Sequence, residues 1–260
     1  MKVIPPFVFS SYRRIRQLLW CAFYVGNDIL CPFCGGRFRK FMPVGKYSLV
    51  PRNVVGAGER TNCICPRCES TDRERHVFLY LKQRRLLNVT PRTRMLHVAP
   101  ENNLGKILAS TPNVEYISGD LYPERLGAMV KIDITHIEYL DNYFDAIICN
   151  HVLEHIVDDI KAMRELSRVL KPEGWAILQV PLDSTRSRTF EDSSIITPSE
   201  RLKKFGQRDH VRIYGKDYVF RLQQSGFEVI VDRSLTQNDN VTQKHGLIRE
   251  EPIFFCRKVK

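Results

Sequence analysis

Apolar residues along this chain fall into two spacings. Mainly apolar runs of strand length recur at Met95–Ala99, Val114–Gly119, Phe144–Cys149, Trp175–Val180, Phe227–Val231 and Ile253–Lys258. Between them lie stretches with helical spacing: Leu104, Ile107 and Leu108, then Ile160, Met163, Leu166, Val169 and Leu170. Continuous runs suit strands buried on both faces, and the three-to-four spacing suits helices with one apolar side. Asp158 and Asp159 fit the positive start of the second helix, and Pro172 and Gly174 stop it. Lys131–Ile134 reads as a further short strand, and Lys216–Gln224 as a helix closed by Gly226. Strand, helix, strand implies a right-handed parallel crossover, hence an open doubly wound α/β sheet.

Ligands of such sheets bind outside the carboxyl ends of the strands. Asn150, His151, Glu154 and His155 directly follow the Phe144–Cys149 run, which puts them on the rim of a crevice. Asp120 closes the Val114–Gly119 run, about 20 residues beyond the first strand, where a carboxylate can accept from two ribose hydroxyls.

The segments DAIICNHVLEHI and ELSRVLKPEGW resemble the fourth-to-fifth-strand region of class I S-adenosylmethionine-dependent methyltransferases of the type 11 kind. The resemblance extends from about Met95 onward. It implies a Rossmann-like seven-stranded sheet, mostly parallel with an antiparallel last strand, and S-adenosylmethionine as cofactor. It also implies cofactor contacts at Asp120 and Leu121, at Asp133 (adenine amino group) and Ile134 (adenine face), and at Asn150. The first loop departs from the family pattern: His97 stands at the usual acidic position, and Ala99 and Glu101 replace glycines. Two roles are open to Glu101, a carboxylate for the cofactor's ammonium group or a helix-start acid.

Methyl transfer to a hydroxyl needs a base near the departing proton. His151, His155 and His210 can titrate near neutrality, and His151 is the best placed. A polar stretch from Pro181 to Lys216 is too long for an ordinary connection and is expected to overhang the crevice. Its densest cluster, Gln207, Asp209, His210, Arg212 and Tyr214, resembles G-Q-x-D-H-x-R-x-Y segments of related methyltransferases, with an Asp209–Arg212 contact as the structural alternative. The acceptor expected is a hydroxyl of a small molecule or glycan.

Five of the eight cysteines cluster between Cys31 and Cys68, and the repeats C-P-F-C (Cys31–Cys34) and C-P-R-C (Cys65–Cys68) predict a four-thiolate structural zinc site in a ribbon-like module. Cys63 is the rival of Cys65. Cys21, Cys149 and Cys256 sit in apolar contexts and read as core residues. Thr71–Glu74 is a capping box opening a helix to about Leu86, with Arg73, Arg75, Arg84 and Arg85 as a solvated face. The organisation expected is an amphipathic helix within 1–29, the zinc module over 30–70, a connecting helix over 71–93 and the methyltransferase domain over 94–260.

Charge alters the picture only at the front. The net charge is +11, yet residues 1–95 carry 18 Lys and Arg against 5 Asp and Glu, and the remainder is slightly acidic. This permits an RNA or anionic membrane partner for the module, and RNA-directed methylation as an alternative function. A degenerate domain that binds without catalysing is the other alternative. A helix over Ser10–Val25 with Tyr12, Ile15, Leu19, Ala22 and Phe23 on one side could lie on a membrane surface. Arg13, Arg14 and Arg16 interrupt the opening stretch, no cleavage site follows and no run reaches membrane-spanning length, so a cytoplasmic protein is expected.

Overall fold

The chain is described here from a computed structural model covering residues 6–259, with side chains from Arg14 onward except Leu126. Helix α1 (Pro6–Tyr24) leads into two small antiparallel ribbons, Val25–Leu30 with Arg37–Phe38 and Met42–Val44 with Arg60–Ile64. Helix α2 (Asp72–Gln83) starts on the expected capping box, with Thr71 Oγ1 accepting from the Glu74 amide and Glu74 accepting from the Thr71 amide. It ends earlier than Leu86, where the backbone turns through Arg85 at φ 55°.

A seven-stranded sheet follows: β1 (Thr93–Val98), β2 (Val114–Asp120), β3 (Val130–Lys131), β4 (Phe144–Asn150), β5 (Leu170–Gln179), β6 (Phe227–Asp232) and β7 (Ile253–Lys258). Its spatial order is β3-β2-β1-β4-β5-β7-β6. The first five strands are mutually parallel, and β7 runs antiparallel to both neighbours. The order reverses between β1 and β4, so a crevice opens at the carboxyl ends of those two strands.

Successive strand residues feed opposite faces. Leu96, Ile147 and Leu178 enter one core with Met163 and Leu166 of α4 (Asp159–Val169). Met95, Ile148 and Ile177 enter the other with Leu81 of α2 and Leu104 and Leu108 of α3 (Asn102–Ser110). Cys149 and Cys256 are buried core thiols. Asp158 caps α4, its carboxylate accepting from the Lys161 amide at 3.0 Å. Asp159 is used differently from expectation. It is buried and receives Arg221 and the Tyr214 hydroxyl.

Three expectations are corrected. The third strand is Val130–Lys131 rather than Lys131–Ile134, because Asp133 turns the chain by accepting from the Thr135 amide and hydroxyl, both at 2.8 Å. Residues 181–216 contain a helix, α5 (Pro198–Phe205), and short ribbons at Phe190–Glu191 and Arg212–Ile213, in place of one long loop. The solvated arginine face does not exist as drawn, since Arg75 is fully buried and donates to the carbonyls of Ser70 (2.7 Å), His245 (2.8 Å), Asn62 (3.1 Å) and Gly246 (3.1 Å). On α1, Ile15, Leu19, Ala22 and Phe23 are exposed, while Tyr12 lies outside the described side chains. No helix among the described residues is long and apolar enough to cross a membrane.

The N-terminal ribbons are packed onto the sheet domain. Phe33 stacks on Phe78 of α2 at 4.6 Å between ring centroids. Val54–Val55 pairs with Leu182–Asp183 just beyond β5, and Val50, Val54 and Ala57 share a core with Phe205 and Ile213. The front of the chain therefore roofs the crevice together with the segment after β5.

Candidate active site and metal centre

The sheet's carboxyl edge builds the first half of the site. His97 on β1 is fully buried between two partners. Its Nδ1 lies 3.1 Å from the Tyr116 hydroxyl, and its Nε2 lies 2.6 Å from Glu101 Oε2. Asn150, the last residue of β4, donates from Nδ2 to Glu101 Oε1 at 2.9 Å. Burial alone would raise the Glu101 carboxyl, but the His97 and Asn150 bonds hold it below the usual carboxylate range. Glu101 accepts from His97 Nε2–H, which leaves His97 Nδ1 to accept from the Tyr116 hydroxyl, and burial pushes the Tyr116 phenol up to about 12. A carboxylate four residues further along the chain thus lies against the position 97 side chain.

Ala99 follows with φ 48°, in the left-handed region that favours glycine, so the loop keeps a glycine-type bend without the residue. Asp120 ends β2 half-buried, with Oδ1 accepting from the Tyr122 amide at 2.7 Å. Leu121 beside it is 42% exposed. Asp133 is exposed and its Oδ1 is committed to Thr135, while Ile134 is buried in the core. Asn150 Oδ1 is buried with no partner among the described residues. A groove of about 280 Å³ opens beside Glu101 between α3 and β2, lined by Gly105, Tyr116, Ser118 and Met129 among others. A cavity of about 340 Å³ lies between the N-terminal ribbons and the Thr242–Ile248 stretch, another of about 490 Å³ lies within the ribbons, and neither touches these residues.

His151 begins the second half. Its backbone has φ 54°, held by its amide donating to the Gln179 carbonyl at 2.8 Å. The buried ring stands between two buried carboxylates: Nδ1 is 3.4 Å from Glu154 Oε1, and Nε2 is 3.8 Å from Glu251 Oε1. Neither ring nitrogen has a hydrogen-bond partner among the described residues. Gly56, from the N-terminal part, comes so close that a Cβ there would stand 2.8 Å from Glu251 Oε1 and 3.3 Å from the His151 ring. His76 Nδ1 lies 4.0 Å from Glu251 Oε2. The chain therefore encloses His151 with polar groups from distant parts of the sequence, Glu154 beside it and Glu251 near the end, with Gly56 from the front closing over them.

His210 is 4% exposed and stands edge-on to His155, ring centroids 4.8 Å apart. Arg212 explains the polar cluster around it. Its guanidinium donates to the carbonyls of Leu153 (3.0 Å), Val157 (2.9 Å) and Ile156, and to Glu191 (2.8 Å). It fastens this segment to the 3-10 turn Leu153–His155, and the Asp209–Arg212 contact is not what holds it. Glu251, His76 and Gly56 carry no local signal in the sequence and were missed as site residues, whereas Glu154 and His155 were placed on the crevice rim by their position just after a buried strand.

The thiols of Cys31, Cys34, Cys65 and Cys68 all lie within 4.8 Å of one another, with Cys31–Cys68 at 3.5 Å and Cys34–Cys65 at 3.7 Å. Four sulfurs around one zinc at about 2.3 Å each would stand roughly 3.8 Å apart, so the set fits zinc. The two knuckles are the same turn made twice. Cys31 N donates to Gly36 O and Gly35 N to Cys31 O, and Cys65 N donates to Ser70 O and Glu69 N to Cys65 O. Gly35 and Glu69 carry the required positive φ, 65° and 60°. Cys63 points elsewhere. Its thiol donates to Asp72 at 3.2 Å and is pushed up to about 11, first by burial and then by the Asp72 charge.

Residues 76–178, the span holding β1 to β5 and the Asn150–His155 rim, match the family model for a methyltransferase domain. That span carries a methyltransferase domain. An uncharacterized protein of Methanocaldococcus jannaschii is 35% identical over 75 residues, which is 28% of this chain and 33% of that protein. The chain thus spans about a third of that curated relative. Among solved structures, the [4+2]-cyclase SpnF matches with TM-score 0.48 and 16% identity over 72% of this chain and 81% of its own. A 1,6-didemethyltoxoflavin-N1-methyltransferase from Burkholderia thailandensis, solved with S-adenosylhomocysteine, matches with TM-score 0.44 and 12% identity over 72% and 78%. The matched span begins inside α2, so the knuckle module and the Gly56 part of the roof over His151 lie ahead of it, and the 181–216 part lies behind it.

Proposed function

We propose that this chain transfers a methyl group from S-adenosylmethionine to a hydroxyl of a small molecule or glycan. The observation that carries the acceptor class is the buried His151 ring, with both nitrogens unbonded among the described residues, between Glu154 and Glu251. A hydroxyl must lose its proton during transfer, whereas an amine with a free lone pair need not.

The residues at the sheet edge suit the cofactor. Asp120 has a carboxylate oxygen beyond the one its turn uses, and the paired hydroxyls of a ribose call for such an acceptor. The Ala99 bend lets backbone approach the ligand, and Glu101, held ionised by His97 and Asn150, offers its charge to an ammonium group. Bound there, S-adenosylmethionine supplies an electrophilic methyl on a leaving group that needs no acid. His151 takes the acceptor's proton as the new carbon–oxygen bond forms and the carbon–sulfur bond breaks. Glu154 and Glu251 stabilise the resulting imidazolium. The roof from Gly56, Val54 and the 181–216 segment excludes water from this step.

The test is a screen of hydroxylated metabolites, glycans and RNA with labelled cofactor, followed by wild type against His151→Ala on the acceptor found. Label transfer to a small hydroxylated compound, strongly reduced in the variant, supports the reading. Transfer to RNA alone would replace it with the RNA-directed alternative.

A further inference from the structure

We propose that Glu154, His155 and His210 form a second metal site, distinct from the four-cysteine knuckles, that binds a zinc-class divalent cation beside His151. One ligand atom from each residue lies within 4.8 Å of those of the other two. The set is two imidazoles and one carboxylate, which suits zinc and other first-row divalent ions and leaves coordination positions open.

Three further observations point to a ligand at this place. Glu154 is 2% exposed, and its Oε2 is buried without a hydrogen-bond partner among the described residues, which is costly for a carboxylate unless something positive meets it. His155 Nδ1 faces Asp209, at 3.4 Å from Oδ2 and 3.3 Å from the backbone oxygen. That contact orients the ring and leaves Nε2 for an ion, as outer carboxylates do for metal-bound imidazoles. The frame is also pre-set. The Val211 amide donates to the Glu154 carbonyl at 2.9 Å, and Arg212 clamps the carbonyls of the 3-10 turn, so His210 is fixed against Glu154 and His155. The His155 side chain is 32% exposed, which gives an ion a path in.

The role, which rests on the methyltransferase reading, is to hold the acceptor's hydroxyl oxygen at an open position next to His151 and favour its deprotonation. The binding itself does not depend on that reading. The knuckles supply only sulfur and this site only nitrogen and oxygen, so cobalt distinguishes them by absorption.

The experiment titrates Co²⁺ and then Zn²⁺ into the metal-depleted full chain, followed by absorption and calorimetry, with no methyl donor present. The expected result is two equivalents: one with intense sulfur-to-cobalt absorption, one with weak d–d bands only. His210→Ala and His155→Ala should each lose the second equivalent and keep the first, whose sulfur band reports that the variant is folded. Asp209→Asn should weaken the second by about 10–100-fold. A single equivalent in wild type, or two equivalents retained in the part-exposed His155→Ala variant, would overturn the site. Failure of S-adenosylmethionine to bind would leave these stoichiometries unaffected, so the two readings fail separately.

Discussion

At the scale of single residues, the first loop lacks a carboxylate at His97, and Glu101 lies against that side chain across a 2.6 Å contact. Glu101→Gln keeps the shape and removes the charge, leaving His97 Nε2–H and Asn150 Nδ2–H facing a neutral amide. Charge-assisted hydrogen bonds contribute about 1.5–3 kcal/mol each. Glu101→Gln is therefore expected to weaken S-adenosylmethionine binding by calorimetry at least about tenfold while the protein stays folded. Unchanged affinity would reduce Glu101 to a helix-start acid. His151 gives a different signature. His151→Ala should leave cofactor affinity nearly intact and lower turnover by roughly 10²–10⁴-fold, the usual range for a lost general base. Equal turnover in the two proteins would point to an acceptor already nucleophilic before it binds.

At the scale of elements, the knuckles and the capped helix behind them are the clearest local structures. Metal analysis of protein purified without added zinc should find the four-thiolate zinc in wild type and in Cys63→Ser, and lose it in Cys65→Ser. The reverse pattern would exchange the two residues. These features were legible because each is written within six residues: CPxC fixes a turn, and Thr71–Glu74 fixes a helix start. Strands β1, β4, β5 and β7 were legible for a similar reason, since largely buried strands read as mainly apolar runs, and the more exposed β2 and β6 kept enough apolar residues to read the same way. Strand β3 was misplaced because only two of its residues pair before Asp133 turns the chain. Helix α5 was hidden because only Phe205 on it is buried, so it presents almost no apolar face to read. The buried Arg75 was invisible for another reason. Its four acceptors are backbone carbonyls, some of them about 170 residues away.

At the scale of the whole molecule, the site is closed by parts that the sequence shows as separate. Glu251 arrives just before β7, Gly56 from the N-terminal ribbons and His210 from the segment after β5. No local pattern could announce a chamber assembled from three such distances. The same closure makes the front of the chain part of the fold. Arg75 ties α2, the second knuckle and the stretch before β7 through four carbonyls, and Arg75→Ala would leave those acceptors buried and unmet. Its expected cost is on the order of 3 kcal/mol, read as a lower denaturation midpoint of one cooperative transition. A variant as stable as wild type would show that the module is not coupled to the sheet.

The central claim, a cofactor seat on the carboxyl edge of β1, β2 and β4, meets its most direct test in one titration. S-adenosylmethionine is titrated calorimetrically into the wild-type chain and into Asp120→Ala. The account predicts one equivalent bound by wild type and, in a variant whose circular dichroism and unfolding midpoint are unchanged, an affinity lower by about 10–100-fold. This corresponds to losing about one charge-assisted bond to the ribose. No binding heat in wild type, or equal affinity in the folded variant, would contradict it.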